Sequence, residues 1–108
     1  MEVEVMKIIK NAIAGTLESS DIQIMLVSNM NDGIKVELKS SVEKLFGKQI
    51  RKVISGTLKN MGIDNVTLVA TDKGALDCTI KARVECAVYR ACGIKEEYDW
   101  EVIDQWNV

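Results

Sequence analysis

Between Ser40 and Gly62 the chain reads SSVEKLFGKQIRKVISGTLKNMG, with apolar residues at Val42, Leu45, Phe46, Ile50, Val53, Ile54, Leu58 and Met61. Steps of three and four place such side chains along one stripe of an α-helix. A helix that is apolar on one side must cover another apolar surface, so this segment commits the chain to a layered fold. Its ends carry boundary signals. Ser40 and Glu43 have the S-x-x-E spacing of a capping box, in which the hydroxyl accepts a free backbone N–H and the carboxylate reaches back. Gly62 suits the left-handed position past the last turn. Gly47 and Gly56 fall mainly on the polar side, at about 1 kcal/mol each relative to alanine.

The surface to be covered is written in the flanking segments. In DIQIMLVS, Ile22, Ile24 and Leu26 alternate with Gln23 and Met25, the pattern of a half-buried strand. Asp32-Gly33 is a turn pair. In IKVELKS, Ile34, Val36 and Leu38 alternate with Lys35, Glu37 and Lys39. These two segments predict an antiparallel hairpin with one wet face. NVTLVAT predicts a third strand, with Val66 and Leu68 on one face. After it, Leu76, Ile80, Val84, Ala87, Val88 and Ala91 form a second helical stripe, ended by Gly93. Asp77 in the first turn and Arg90 in the last match the helix dipole. The opening VEVMKII reads equally as a strand or a frayed helical turn.

The expected fold is therefore an α+β two-layer sandwich in the order strand-strand-helix-strand-helix. Its small, mostly antiparallel sheet is covered on one face by two helices. The helical crossover places the third strand antiparallel beside the first, in the spatial order second-first-third. One domain is expected over residues 1–94, with 1–11 a flexible lead. Residues 95–108 form an acidic tail bearing Tyr98, Trp100 and Trp106, either a loose end or an interface anchor.

The chain has 108 residues, enough for one core. Its net charge of −2 argues against nucleic acid as the main ligand, since phosphate binding needs a basic face. No apolar run approaches the roughly 20 residues of a membrane span. The start MEVEVMKIIKN lacks the features of a signal peptide, so a cytoplasmic protein is expected. The three cysteines, Cys78, Cys86 and Cys92, have no C-x-x-C spacing and read as buried reduced thiols. There is no histidine, which leaves no ordinary zinc site and lowers the expectation of acid/base chemistry. No catalytic residue and no metal ligand is assigned.

Two stretches stand out. In NAIAGTLESSDIQIM, the adjacent hydroxyls of Ser19 and Ser20 lie between Glu18 and Asp21, with Gly15 just upstream. A polar turn explains this composition. So does a serine presented on a mobile segment to another enzyme, because nothing nearby would activate it as a nucleophile. Glu18 and Asp21 then either engage basic groups of that enzyme or are merely solvated. In TDKGALDC, Gly74 suits a strand-to-helix turn and Asp72 or Asp77 favours the helix start. Arg83 and Arg90 lie seven apart on one helix side, facing either carboxylates or a partner.

AGTLESSD (14–21), SSVEKLFGKQIR (40–51) and DKGALDCTIKARVECAVYRA (72–91) closely resemble the acyl carrier (gamma) subunit of bacterial citrate lyase. The resemblance runs from about residue 12 to 94. A longer start and a different tail depart from the family pattern. The resemblance implies a covalent 2'-(5''-phosphoribosyl)-3'-dephospho-CoA, joined by a phosphodiester to the first serine of LES-S/G-D, here Ser19. Ser20 stands where the family also accepts glycine. It further implies a non-catalytic carrier whose arm holds acetyl and citryl thioesters. The alpha subunit exchanges acetyl for citrate, and the beta subunit releases oxaloacetate. A holo-carrier synthase attaches the group, an acetate ligase acetylates its thiol, and neither nucleic acid nor membrane is a partner. The serine segment would let the arm swing. The carrier of malonate decarboxylase, with the same group, and a non-covalent α+β binding or regulatory module are the alternatives. GTLES and DKGALDC favour citrate lyase.

Overall fold

A computed structural model describes residues 7–29 and 32–93. The proposed tail at 95–108 and the first six residues lie outside them. The elements are β1 (Ala12–Ala14), β2 (Ile22–Val27), β3 (Ile34–Ser40), α1 (Glu43–Asn60), β4 (Val66–Asp72) and α2 (Asp77–Ala91). They make an α+β sandwich, with four strands against two helices. α1 lies over β3, α2 lies over β1 and β2, and the helices pack on each other.

The alternation in β2 and β4 does the sorting. Ile22, Ile24 and Leu26 are fully buried, as are Val66, Leu68 and Ala70, while the residues between them are half-buried. Against this face come Ile50, Ile54 and Leu58 of α1 and Ile80, Val84, Ala87, Val88 and Ala91 of α2. Full burial of one such branched side chain stabilises the fold by about 1.5–3 kcal/mol.

The strand order is β1-β2-β4-β3, which corrects two expectations. β2 and β3 do not form a hairpin. β4 lies between them, antiparallel to β2 and parallel to β3. The third expected strand does lie antiparallel beside the first, but between the first and second rather than outside them. The physical reason is charge. Lys35, Glu37 and Lys39 are exposed on β3, which suits a sheet edge, whereas uncharged VTLVAT tolerates two neighbours. Asp32-Gly33 leads straight into β3, with Gly33 at φ +76°, and Gly33 is hydrogen-bonded to the start of β4. The Gly33 N–H donates to Asn65 Oδ1 at 2.9 Å, and the Val66 N–H donates to the Gly33 carbonyl.

Other expectations are corrected at the helix starts. The Ser40–Glu43 capping box does not form, because Ser40 is the last residue of β3 and Val42 is the N-cap, with no side-chain cap bond. The Ser40 hydroxyl instead donates to the buried Asp72 at 2.8 Å and accepts the Val42 N–H at 3.1 Å. Leu45, Phe46 and Leu76 are exposed rather than on the buried stripes, and Gly47 is buried rather than on the polar side. β1 is an additional strand. It pairs with β2 so that Ala14, at 1% exposure, joins the core. The cysteines are not buried: Cys78 is exposed, and Cys86 and Cys92 are half-buried at the margin of the core.

Candidate functional site

The β1–β2 connection, residues 15–21, carries the two serines. It opens on Gly15, at φ +87°, where a Cβ would stand 1.9 Å from the Ile22 carbonyl oxygen. Only glycine fits this close approach. The Asp21 N–H donates to the Glu18 carbonyl at 3.2 Å, closing a four-residue turn with Ser19 and Ser20 at its corners. Ser20 has φ +65° and is the sole non-glycine residue with positive φ among the described residues. Left-handed backbone confined to the second corner is the signature of a type II turn, which prefers glycine there.

The turn is anchored from beneath. The Ser20 N–H donates to the Lys73 carbonyl at 2.8 Å, and the Lys73 N–H to the Asp21 carbonyl at 2.9 Å. These bonds continue the β2–β4 pairing past Ile22 and Asp72. Asp21, at 8% exposure, is the hub. Its Oδ2 accepts the Thr16 hydroxyl at 2.7 Å and the Thr16 N–H at 3.1 Å, and its Oδ1 accepts the Ile22 N–H at 2.7 Å. Arg83 of α2 binds both oxygens. Burial pushes the Asp21 carboxyl up, but the bonds from Arg83, Thr16 and Ile22 and the charge of Arg83 outweigh it, lowering the pKa to about 2.

This arrangement revises two expectations. Asp21 is consumed within the protein and offers nothing to an outside basic group, whereas Glu18 is exposed. The serine segment is not a loose hinge but a hydrogen-bonded turn. Ser19 and Ser20 are both exposed, and among the described residues no hydrogen bond occupies the Ser19 hydroxyl.

The two arginines find their targets inside the fold. Arg90 Nη1 donates to the Ile13 carbonyl at 2.7 Å, and Arg83 reaches Asp21, so α2 fastens β1 and the turn with two side chains spaced seven apart. The second stretch, 71–78, is a supporting brace. Asp72, at 1% exposure, accepts the Ala75 N–H at 3.0 Å as well as the Ser40 hydroxyl, and this shapes the loop whose Lys73 carbonyl holds Ser20. Asp77 accepts Gln49 Nε2 at 2.9 Å and joins the two helix starts. Thr16 and the Lys73 backbone went unnoticed in the sequence. The five-residue spacing from Thr16 to Asp21, just after a glycine, was the available signal. Among the described residues no group of three or more His, Cys, Asp or Glu could hold a metal ion.

The site, then, is an exposed hydroxyl at the corner of a hydrogen-bonded turn. The family model "ACP: Malonate decarboxylase delta subunit (MdcD)" matches residues 9–91. The citrate lyase acyl carrier protein of Streptococcus uberis is 55% identical over 95% of this chain and 100% of its own length. That of Lacticaseibacillus casei is 59% identical over 94% of this chain and 98% of its own. The chain belongs to the citrate lyase acyl carrier protein family. The Streptococcus uberis alignment spans 103 residues, so it runs beyond the 12–94 stretch and takes in most of the start and tail that had stood out as departures. A chain of a Pseudomonas malonate decarboxylase hetero-tetramer, crystallised with malonate, shares the fold at 13% identity, with a TM-score of 0.61 over 78% of this chain and 86% of that one.

Proposed function

We propose that this chain is the non-catalytic acyl carrier subunit of a cytoplasmic citrate lyase, and that Ser19 is where 2'-(5''-phosphoribosyl)-3'-dephospho-CoA is joined through a phosphodiester. One observation carries the reading: the exposed Ser19 hydroxyl, unbonded among the described residues, occupies the corner of a turn held from within by the Ser20–Lys73 backbone bond and the Thr16–Asp21 and Arg83–Asp21 side-chain bonds. The residues fit the group. The hydroxyl is exposed, and Ser20 beside it takes a backbone conformation that suits glycine. Ser20 is thus a conformational position and Ser19 the chemical one, which agrees with glycine being allowed at the second serine of the motif.

When bound, the group supplies a thiol for carrying acyl chains. The protein's own part is to hold that arm's root still. The Asp21–Arg83 pair and the Lys73 backbone fix the turn, so bending is left to the arm. Tethering in this way replaces diffusion with an effective concentration of about millimolar at each partner's active site. The chain offers no histidine to take the Ser19 proton, so a base must come from the synthase that attaches the group. The partners are the alpha and beta subunits, that synthase and an acetate ligase.

The malonate decarboxylase reading is favoured by the description of the matching family model and by the fold of the Pseudomonas chain. The 55–59% identity to citrate lyase carriers outweighs both. Intact-mass measurement of chain co-produced with its synthase tests the proposal. An adduct of dephospho-CoA size mapping to Ser19, absent from Ser19→Ala, is expected. An adduct on another residue, or citrate cleavage by a reconstituted complex holding Ser19→Ala, overturns it. Citryl rather than malonyl on the thiol, after incubation with the substrate acids and the partner subunits, separates the two readings.

A further inference from the structure

Six large apolar side chains are exposed among the described residues: Ile9, Ile13, Leu17, Leu45, Phe46 and Leu76. Four of them gather at one end of the sandwich. β3 and β4 run parallel and finish together at Ser40 and Asp72, and Ile22, next to the serine turn, pairs with Asp72. α1 and α2 both start from that end, tied by the Gln49–Asp77 bond. Leu17 lies in the serine loop, Leu45 and Phe46 in the first turn of α1, and Leu76 is the N-cap of α2. Leu45 is 80% and Leu76 71% exposed, and no described element covers them. Grouped apolar exposure of this kind marks an interaction surface.

Charge indicates what the surface meets. From Glu43 to Asn60 there are five basic residues and one acid, in a chain of net charge −2. Lys44, Lys48 and Lys52 follow at steps of four, on the exposed side with Leu45. Reach indicates who uses it. Enzymes that act at the far end of a long arm need not touch its root. The enzyme that forms the bond to the Ser19 oxygen must bring its own active site onto the turn, and it then covers the neighbouring helix starts.

We propose that this end is the docking surface for the enzyme that esterifies Ser19: Leu45, Phe46 and Leu76 enter an apolar hollow on that enzyme, and Lys44, Lys48 and Lys52 meet a rim of carboxylates. The inference rests on the reading of Ser19 as the attachment point.

The test uses the full chain, the purified synthase and its donor, with Ser19 loading followed by intact mass. The double variant Leu45→Ser/Leu76→Ser is expected to keep the wild-type thermal midpoint, since both side chains are exposed, and to load at least tenfold more slowly through a higher KM. The triple variant K44E/K48E/K52E is expected to behave likewise. Added salt should slow the wild type and leave the triple variant little changed. Ile9→Ser, at the opposite end, should load like the wild type. Wild-type rates in the double variant, with loading still on Ser19, overturn the docking surface alone. Wild-type rates in the triple variant overturn the carboxylate rim. Normal loading with failed assembly onto the alpha and beta subunits overturns the choice of occupant. Wild-type chain that loads elsewhere than Ser19 overturns the underlying reading instead, so the two failures are distinct.

Discussion

Arg83 holds Asp21 with two parallel bonds, Nε to Oδ1 and Nη2 to Oδ2, each 3.0 Å long. The pair joins the middle of α2 to the foot of the serine turn across 62 residues of sequence. Arg83 remains partly open to solvent while Asp21 is covered, so the carboxylate is the member that depends on its partner. Asp21→Asn is expected to destabilise the protein by about 1.5–3 kcal/mol, the range for losing hydrogen bonds to a charged group. A double-mutant cycle with Arg83→Gln should return a coupling of about 1–3 kcal/mol, read from urea denaturation.

The same pair sets an acid limit. Asp21 ionises near 2 in the folded chain and near 3.8 when free, so the folded state prefers the ionised form. A depressed carboxyl contributes stability above its unfolded value and loses it as pH falls through the folded one. Unfolding free energy should therefore drop between about pH 4 and pH 2, and Asp21→Asn should flatten that part of the curve. An equal acid slope in the variant would remove Asp21 from the account.

Gly15 and Ser20 both occupy left-handed backbone, but with opposite tolerance. Gly15→Ala forces a Cβ onto the Ile22 carbonyl and should cost about 3 kcal/mol or more, or prevent folding, as judged by denaturation and circular dichroism. Ser20→Gly removes left-handed strain of about 1–2 kcal/mol against an entropy loss of about 0.5–1 kcal/mol. It should leave both stability and Ser19 loading near wild type. Ser20→Val should lower stability by about 1–2 kcal/mol, because a β-branched side chain resists positive φ.

Ser40 and Glu43 separate the cap read from sequence from the brace seen in the fold. Ser40→Ala deprives buried Asp72 of a donor and should cost about 1–3 kcal/mol. Glu43→Ala should change stability by about 0.5 kcal/mol or less, since Glu43 makes no capping bond. Comparable losses in both variants would restore the capping box.

Thiol reactivity should follow exposure. Cys78 is exposed, whereas burial pushes the Cys92 thiol up and lowers its thiolate fraction. Timed iodoacetamide labelling with peptide mapping should show Cys78 alkylated first and Cys92 more slowly. Cys78→Ser is the background in which a prosthetic thiol is best counted.

What the sequence made legible was periodicity. The alternation around Ile24 and Leu68 and the stripe through Ile50, Ile54 and Leu58 gave the sandwich and most of its core. Leu45 shows where the pattern was over-read. It precedes Ile54 by nine residues, about two and a half helical turns, and so points the opposite way. Steps of three and four are each sound locally but drift when chained. Strand order was hidden for a different reason. Two alternating segments joined by Asp-Gly look like a hairpin, and only the charge on β3 against its absence in VTLVAT hints that β4 intervenes. At the site, the hydroxyls and carboxylates could be read as a turn. That Asp21 belongs to Arg83 could not, because the pairing depends on how α2 crosses β2.

The closed turn beneath Ser19 also has a bearing on the geometry of the whole assembly. On the proposed reading that Ser19 carries the arm, a root held by the hydrogen bonds of this turn confines the arm to the dome of space above one end of this small body, out to its own contour length. Any two catalytic centres it serves must both open into that dome, at comparable radius from a single fixed pivot.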